Sequence, residues 1–217
     1  MASGTEVAEE QVKLVIGLTG GIATGKSTVL EMFRTLGAFV LSADEVAREL
    51  LQPGTQVYLS FVESFGKEYL RSDGQVDRAA LARRIYLDPN ARRRLDSLTH
   101  PAILKRLREQ IEALRASGEK RPIVVEIPLL YEVNAQDMVD RVVVVASEHA
   151  TQFARLKRRT GWPDDQVEAA ILSQMPLFQK IALADWVVWS NGSLEETAQQ
   201  VREIWKEITE AAEEDRQ

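Results

Sequence analysis

One segment of the sequence has residue types and a spacing that are typical of phosphate chemistry. Residues 20–27 have the sequence GGIATGKS, which satisfies the phosphate-loop pattern G-x-x-x-x-G-K-[ST]. Glycines let such a loop fold tightly, so that successive backbone N–H groups point at phosphate oxygens, and the positive end of the following helix adds to the attraction. Lys26 then reaches the β- and γ-phosphates, and the Ser27 hydroxyl ligates magnesium. The segment predicts nucleotide binding.

The alternative is a glycine turn that precedes a lysine by chance. The surroundings favour the phosphate loop, because an apolar, β-branched run precedes it and an amphipathic pattern follows. A GTPase switch would carry an Asp-x-x-Gly element and an Asn-Lys-x-Asp guanine-binding motif, and the sequence has neither. These observations favour an enzyme that uses ATP.

Asp44 is a candidate for a catalytic base. It follows the second predicted strand, and ligands of open α/β sheets bind beyond the carboxyl ends of the strands. A carboxylate there can accept a hydroxyl proton while the acceptor oxygen attacks phosphorus. Alternatively, Asp44 caps a helix that begins near Glu45. Position alone does not decide between the two roles.

Residues 148–159 are predicted to form a basic helix. Arg155 and Arg159 are four residues apart and therefore share one helix face. Guanidinium groups stabilise the charge that develops during phosphoryl transfer, and a flap that carries them over ATP would also exclude water. The alternative is a solvated basic face.

These residues need an α/β scaffold to bring them together. Five apolar runs predict strands, and the segments between them have helical patterns. The predicted strands are residues 12–18, 38–42, 123–126, 141–145 and 186–189. Alternating strands and helices predict a three-layer α/β/α fold with a five-stranded parallel sheet. Ser193 and Glu196 form a capping box that opens the last helix.

A helical insertion follows the second strand. Residues 43–118 have a helical pattern, and four dipeptides predict breaks within it: Pro53-Gly54, Asp73-Gly74, Asp88-Pro89 and His100-Pro101. We expect a single domain over residues 12–210, with a disordered leader at 1–11 and a frayed tail at 211–217.

Composition excludes several classes of function. The 217 residues include no cysteine and only two histidines, which excludes disulfides, thiolate nucleophiles and histidine-rich metal sites. A net charge of −6 argues against general nucleic-acid binding. The sequence has neither an apolar run of about 20 residues for a membrane span nor a signal peptide, so we expect a cytoplasmic protein without a membrane partner.

Several motifs in order resemble the dephospho-CoA kinase family, and the resemblance runs from about Leu14 to Ile208. The first motif is the phosphate loop with its double glycine and Ile22. The others are Ala43-Asp44 with Arg48, residues 98–103 around His100-Pro101, residues 128–132, Gln152 with Arg155 and Arg159, Ser173-Gln174-Met175 with Lys180, Ala184-Asp185, and Asn191-Gly192.

This resemblance implies transfer of the γ-phosphate of ATP to the ribose 3′-hydroxyl of dephospho-CoA, which gives CoA and ADP in the last step of coenzyme A biosynthesis. It implies a P-loop kinase core, a helical acceptor-binding region and a lid. The core comprises residues 12–42, 119–147 and 181–210, the acceptor-binding region residues 43–118 and the lid residues 148–180. We expect a monomer or a small homo-oligomer.

The resemblance also implies roles for individual residues. Asp44, Lys26 and Arg155 are expected to act in catalysis, with Asp44 as general base. The nucleotide-binding set is Gly21, Ile22, Ala23, Thr24, Gly25, Lys26, Ser27, Thr28, Arg155, Arg159 and Asn191, and Ser27 also ligates Mg²⁺. The acceptor-binding set is Asp44, Arg48, His100 and Leu129. For His100 an alternative stays open, in which it precedes a helix that starts with Pro101 at its first position.

The sequence departs from the family pattern at several positions. Ala23 and Thr24 stand where glycine and serine are usual, and the Ala23 methyl group should be tolerated if its backbone angles are ordinary. Ala170 replaces an arginine that is frequent in the lid, and Gln179 replaces a frequent acid. Glu126, at the end of the third strand, either holds magnesium through water or is a plain strand-end acid.

Two other functions remain open at this point. One is a small P-loop kinase that acts on a nucleoside, a nucleotide or a shikimate-like alcohol. The other is a non-catalytic nucleotide-dependent switch or binding module.

Overall fold

A computed structural model describes residues 14–214 of the chain. The leader predicted for residues 1–11, the first two residues of the first predicted strand and the last three residues of the predicted tail lie outside this range. Within the range, the last helix continues to Glu214, into the segment 211–217 that was predicted as a frayed tail.

Five strands form one parallel sheet in the described part of the chain. They are β1 (Val15–Gly20), β2 (Phe39–Ser42), β3 (Ile123–Glu126), β4 (Arg141–Ala146) and β5 (Trp186–Trp189). Their order in the sheet is β2-β3-β1-β4-β5, and every neighbouring pair is parallel. The predicted parallel sheet of five strands is therefore confirmed.

Helices lie on both faces of the sheet. They are α1 (Lys26–Thr35), α2 (Ala43–Leu50), α3 (Gln56–Phe65), α4 (Arg78–Leu87), α5 (Pro89–Ala116), α6 (His149–Thr160), α7 (Asp164–Leu172), α8 (Leu177–Ala182) and α9 (Leu194–Glu214). Four of them, α2 to α5, form the insertion between β2 and β3, and α6 to α8 lie between β4 and β5.

The core has two layers because the strands are buried on both faces. Side chains alternate along β4, so that Val143 and Val145 join the layer beneath α1 and α9, whereas Val142 and Val144 join the layer beneath α2 and α5. Continuous valine runs are typical of parallel strands that are covered on both sides. The three-layer α/β/α arrangement follows from this alternation.

The helical insertion has a small core of its own. The rings of Phe61 and Phe65 on α3 stack with their centroids 5.1 Å apart, and Val76, Leu81 and Ala91 pack around them. The α3–α4 part of the insertion is thereby stabilised separately from the sheet.

The predicted break at His100-Pro101 is wrong, because α5 continues through Pro101 over 28 residues. The helix begins at Pro89, where the Asp88 carboxylate accepts the N–H groups of Asn90 and Ala91. Pro101 removes one backbone hydrogen bond, and buried residues on both sides of it hold the helix together by packing. His100 therefore does not precede a helix start.

Candidate active site

The phosphate loop lies where the prediction requires it, between the end of β1 and the start of α1. Gly25 has a φ of 90°, which favours glycine. A Cβ atom on Gly20 would lie 2.2 Å from the backbone oxygen of Val145, so the close approach of β4 also requires glycine. Gly20, Gly21 and Thr24 are buried within the loop, and the other residues of the loop line a cleft.

The cleft has a volume of about 620 Å³. It is lined by Ile22, Ala23, Gly25, Lys26, Ser27 and Thr28 from the loop and α1, by Asp44, Glu126 and Pro128, and by Arg155, Arg158, Arg159 and Gln174 from the lid. The structure therefore brings together the phosphate loop, Asp44 and the lid arginines, as the sequence predicted.

Lys26 is held at the floor of this cleft. Its Nζ donates to the backbone oxygens of Gly21, at 2.8 Å, and Gly20, at 3.4 Å. Burial lowers the pKa of Lys26 from 10.5 to about 8, and the carboxylate of Glu126 opposes this shift. The lysine therefore changes its charge in a pH range close to neutrality.

Glu126 is buried at the end of β3 and faces the start of α1. Its carboxylate accepts hydrogen bonds from the hydroxyls of Ser42, at 3.2 Å, and Ser27, at 3.5 Å. Burial raises the pKa of Glu126, and Asp44 adds to this, whereas Lys26 opposes it. The structure thus gives Glu126 a defined position in the site, beside the predicted magnesium ligand Ser27.

The donor set of Ser27 and Glu126 fits Mg²⁺. Magnesium prefers oxygen ligands, and it is usually held by one or two carboxylates together with phosphate oxygens and water. In residues 14–214 no group of three or more acidic, histidine or cysteine side chains forms a protein-only metal site. A hydroxyl and one carboxylate next to the phosphate loop suit an ion that arrives with a nucleotide.

Asp44 does not cap a helix. Helix α2 begins at Ala43 with Ser42 at the N-cap position, so Asp44 lies in the first turn. Its exposed side chain borders the cleft and also a separate pocket of about 120 Å³. The capping alternative is therefore wrong, and Asp44 lies beside the cleft, as its position after β2 predicts.

The second pocket is mostly apolar and lies between α2, α5 and the segment after β3. His100 and Leu129, two of the predicted acceptor-binding residues, line it together with Asp44. His100 also contacts Asp96, with Nε2 3.4 Å from Oδ1. Pro128 borders both this pocket and the cleft, so the two spaces meet at Asp44 and Pro128.

Lid helix α6 carries one more cleft arginine than the sequence analysis predicted. Arg155 donates to the hydroxyl and the backbone oxygen of Ser190, at 3.0 and 2.6 Å, which fixes its guanidinium group beside the loop. Arg159 lines the cleft as expected, and so does Arg158. A signal for Arg158 was present, because residues three apart also share a helix face.

Two acceptor-side arginines lie outside the lining of these spaces. Arg48 is one turn after Asp44 on α2. Burial lowers the pKa of Arg78, and the charges of Arg48 and Arg71 lower it further, whereas Asp44 raises it. Arg78 therefore belongs to the same electrostatic neighbourhood, and no sequence motif pointed to it.

Asn191 is not among the residues that line the cleft. Its Oδ1 accepts the backbone N–H of Glu148 at 2.7 Å, at the start of the lid helix. The structure thus gives Asn191 a contact that ties the β5–α9 loop to the lid.

Ala23 has a φ of 61°, so the condition of ordinary backbone angles is not met. A non-glycine residue in this left-handed region is strained by its Cβ atom. Ala170 is buried in a small core of the lid with Leu156 and Val167, a position that suits an apolar side chain.

A phosphate loop that leads from a parallel sheet into a helix, a buried acid beside it and an arginine helix over the cleft together define a P-loop kinase. Comparison with known proteins narrows this class. The model of a family described as dephospho-CoA kinase matches residues 14–196. The chain belongs to the dephospho-CoA kinase family, and it is a kinase.

Individual relatives agree with this assignment. The dephospho-CoA kinase of Syntrophotalea carbinolica is 47% identical over 188 residues, which cover 87% of this chain and 89% of that protein. The crystal structure of TT1252 from Thermus thermophilus superimposes with a TM-score of 0.70 at 29% identity and covers 90% of this chain and 97% of its own. The structure of dephospho-CoA kinase from Campylobacter jejuni gives 0.68 at 26% identity and covers 92% and 99%.

No helix within residues 14–214 is long and apolar enough to cross a bilayer.

Proposed function

We propose that this kinase transfers the γ-phosphate of ATP to the ribose 3′-hydroxyl of dephospho-CoA, and that Asp44 is the general base. The observation that carries the proposal is that Asp44 borders both the cleft of the phosphate loop and the apolar pocket with His100 and Leu129. A base for phosphoryl transfer needs such a position, since it must contact the acceptor hydroxyl while that oxygen faces phosphorus.

The nucleotide is bound by the phosphate loop. Backbone N–H groups of the loop and the N-terminus of α1 contact the phosphates, and Lys26 neutralises the charge of the transferred group. Arg155 and Arg159 complete this neutralisation from the lid, and the lid excludes water from the cleft.

Ser27 and Glu126 would hold a Mg²⁺ ion that is bound together with ATP. Such an ion would supply positive charge next to the phosphate oxygens. The hydrogen bond between the Ser27 hydroxyl and Glu126 supports this pairing. Glu126 itself stays out of proton transfer to the acceptor, since its carboxylate is engaged by Ser27 and Ser42.

The acceptor occupies the side of Asp44 that faces the helical insertion. The apolar pocket beside His100 and Leu129 takes a non-reacting part of the molecule, and Arg48 and Arg78 provide positive charge next to Asp44. A dephospho-CoA molecule carries both apolar surface and a diphosphate, and this mixed lining favours it over a small alcohol.

The experiment is a transfer assay with mass-spectrometric detection. Protein, Mg²⁺-ATP and dephospho-CoA are mixed, and adenosine, AMP and shikimate serve as parallel acceptors. We expect a gain of one phosphoryl group on dephospho-CoA alone. Phosphate on another acceptor would contradict the proposed substrate, and absence of transfer to every acceptor would favour a binding module.

Cytoplasmic location and a monomeric or small homo-oligomeric state also stay predictions. Cell fractionation and light scattering check them.

A further inference from the structure

Two glutamines from opposite ends of the lid hold the backbone of a single residue of the phosphate loop, Ile22. Gln152, on α6, donates from Nε2 to the backbone oxygen of Ile22 at 2.7 Å. Gln174, which follows α7, accepts the backbone N–H of Ile22 on its Oε1 at 2.8 Å. Both polar backbone groups of Ile22 are therefore bonded to side chains of the lid. The partners fix the direction of both amides, since a carbonyl needs a donor and an N–H needs an acceptor.

Apolar contacts reinforce this link. Leu156, Val167 and Ala170 form the small core of the lid, and the side chains of Ile22 and Ala23 pack against it. The middle of the phosphate loop is thus attached to the lid by hydrogen bonds and by packing, next to the residues whose N–H groups face phosphate.

The contact between Gln152 and the loop also explains why the second residue of the loop, Gly21, is a glycine. A Cβ atom on Gly21 would lie 2.4 Å from Nε2 of Gln152, which is closer than real contacts permit. The phosphate-loop pattern leaves this position free, and Gly21 is not among the residues with positive φ. Close approach of the Gln152 amide therefore accounts for glycine at position 21.

We infer that Gln152 and Gln174 are positioning residues that set the conformation of the phosphate loop from the lid, and that Gly21 is required to admit Gln152. They act on the nucleotide through the two peptide groups that flank Ile22. The inference rests on the proposed function only in taking a nucleotide as the ligand of the loop, so binding of Mg²⁺-ADP tests it without any acceptor.

A charge-matched pair of variants separates the hydrogen bonds from general effects. Gln152→Glu places a carboxylate against the Ile22 carbonyl and removes the donor. Ala154→Glu adds the same charge at an exposed position of α6 that does not line the cleft. By calorimetry we expect Mg²⁺-ADP to bind about tenfold more weakly to Gln152→Glu than to Ala154→Glu. Equal losses in the two variants would overturn the inference.

A double-mutant cycle tests the link between Gly21 and Gln152. Gly21→Ala in the otherwise unchanged chain should weaken Mg²⁺-ADP binding by about tenfold, because the added methyl group displaces the Gln152 amide from the Ile22 carbonyl. In a Gln152→Ala background, the same change should cost no more than about threefold. Additive losses would contradict a shared cause. If Gly21→Ala fails to fold, the charge-matched pair still decides.

A steady-state measurement distinguishes positioning from a general role in folding. For Gln152→Ala, we expect the KM for ATP to rise about tenfold while the KM for dephospho-CoA stays within about twofold, since only the loop is displaced. Equal increases in both constants would refute a role confined to the loop. If the unmodified protein binds Mg²⁺-ADP but transfers no phosphate, the proposed function fails, and the calorimetric tests still decide this inference.

Discussion

The two sides of the active site are built from different parts of the polypeptide. The nucleotide side is centred on consecutive residues, 20–28, at the end of β1 and the start of α1, and side chains of the lid only complete it. The acceptor side proposed above combines residues that are far apart in sequence, Asp44, His100 and Leu129, on two helices and a loop. Backbone recognition needs one short motif, whereas side-chain recognition needs α2, α5 and the segment after β3 to pack together.

The junction between the two sides is fixed by an ion pair between a buried lysine and a partly buried glutamate. Lys180, on α8, is fully buried, and its Nζ lies 2.9 Å from Oε1 of Glu132 and 3.0 Å from the backbone oxygen of Pro128. The Thr19 hydroxyl donates to the same oxygen of Pro128. Since Pro128 borders both the cleft and the apolar pocket, this cluster sets the distance between them.

Breaking that ion pair should produce the largest change in stability. Lys180→Met leaves the Glu132 carboxylate without its charged partner, so we expect the free energy of unfolding to fall by about 3–5 kcal/mol. Denaturant titration measures it. Lys105→Met, which removes an exposed pair with Glu109, is the matched control and should cost no more than about 0.5 kcal/mol. A similar small loss in both variants would show that the junction is not held by this pair.

Removal of the Lys26 charge should lower the reaction rate strongly and leave the stability of the protein nearly unchanged. Lys26→Ala is expected to lower kcat/KM by about 10²–10³, the usual loss for one charge-stabilising contact, while the melting temperature changes little. Lys206→Ala, on the exposed surface of α9, is the control. A phosphate loop that works without Lys26 would contradict the assignment.

The pH dependence of nucleotide binding tests whether the charge of Lys26 is needed to bind phosphate. Lys26 is charged below its pKa of about 8 and neutral above it, and phosphate binds only the charged form well. The affinity for Mg²⁺-ADP should therefore fall by about tenfold per pH unit as the pH rises above about 8. Calorimetry across this range measures the slope, and the slope should be lost in Lys26→Ala. An unchanged slope in that variant would assign the titration to another group.

Strain at Ala23 gives the smallest effect. Because its φ is 61°, Ala23→Gly should raise the free energy of unfolding by about 1 kcal/mol. The same replacement in a helix, Ala198→Gly in α9, should lower it by about 0.5–1 kcal/mol. Opposite signs in thermal or denaturant unfolding are the expected result, and destabilisation by both changes would argue against strain in the loop.

The contrast between the two sides also explains how much the sequence could predict. The phosphate loop and the five strands depend on local patterns, so their positions were predicted to within a few residues. Asp44 was located by topology, because β2 ends at the same edge of the sheet as β1. Interactions between distant segments could not be predicted, because no local sequence pattern indicates them. Examples are the electrostatic interaction of Arg78 with Arg48 and the hydrogen bonds of both glutamines with Ile22.

Predictions from residue type were wrong where tertiary packing outweighs local conformational preferences. Pro101 predicted a helix break, but buried residues on both sides of it keep α5 continuous. The positive φ of Ala23 could not be predicted either, because alanine is not a residue type that indicates a left-handed backbone conformation. Such features follow from the surroundings of a residue and not from its type.

The most direct test of the role of Asp44 is the effect of Asp44→Asn, with Glu45→Gln in the same turn of α2 as control. We expect Asp44→Asn to bind Mg²⁺-ATP as the unmodified protein does and to lose about 10²–10⁴-fold in kcat, whereas Glu45→Gln keeps its rate. Turnover near the wild-type rate in Asp44→Asn would contradict the central claim that this carboxylate is the base at which nucleotide and acceptor meet.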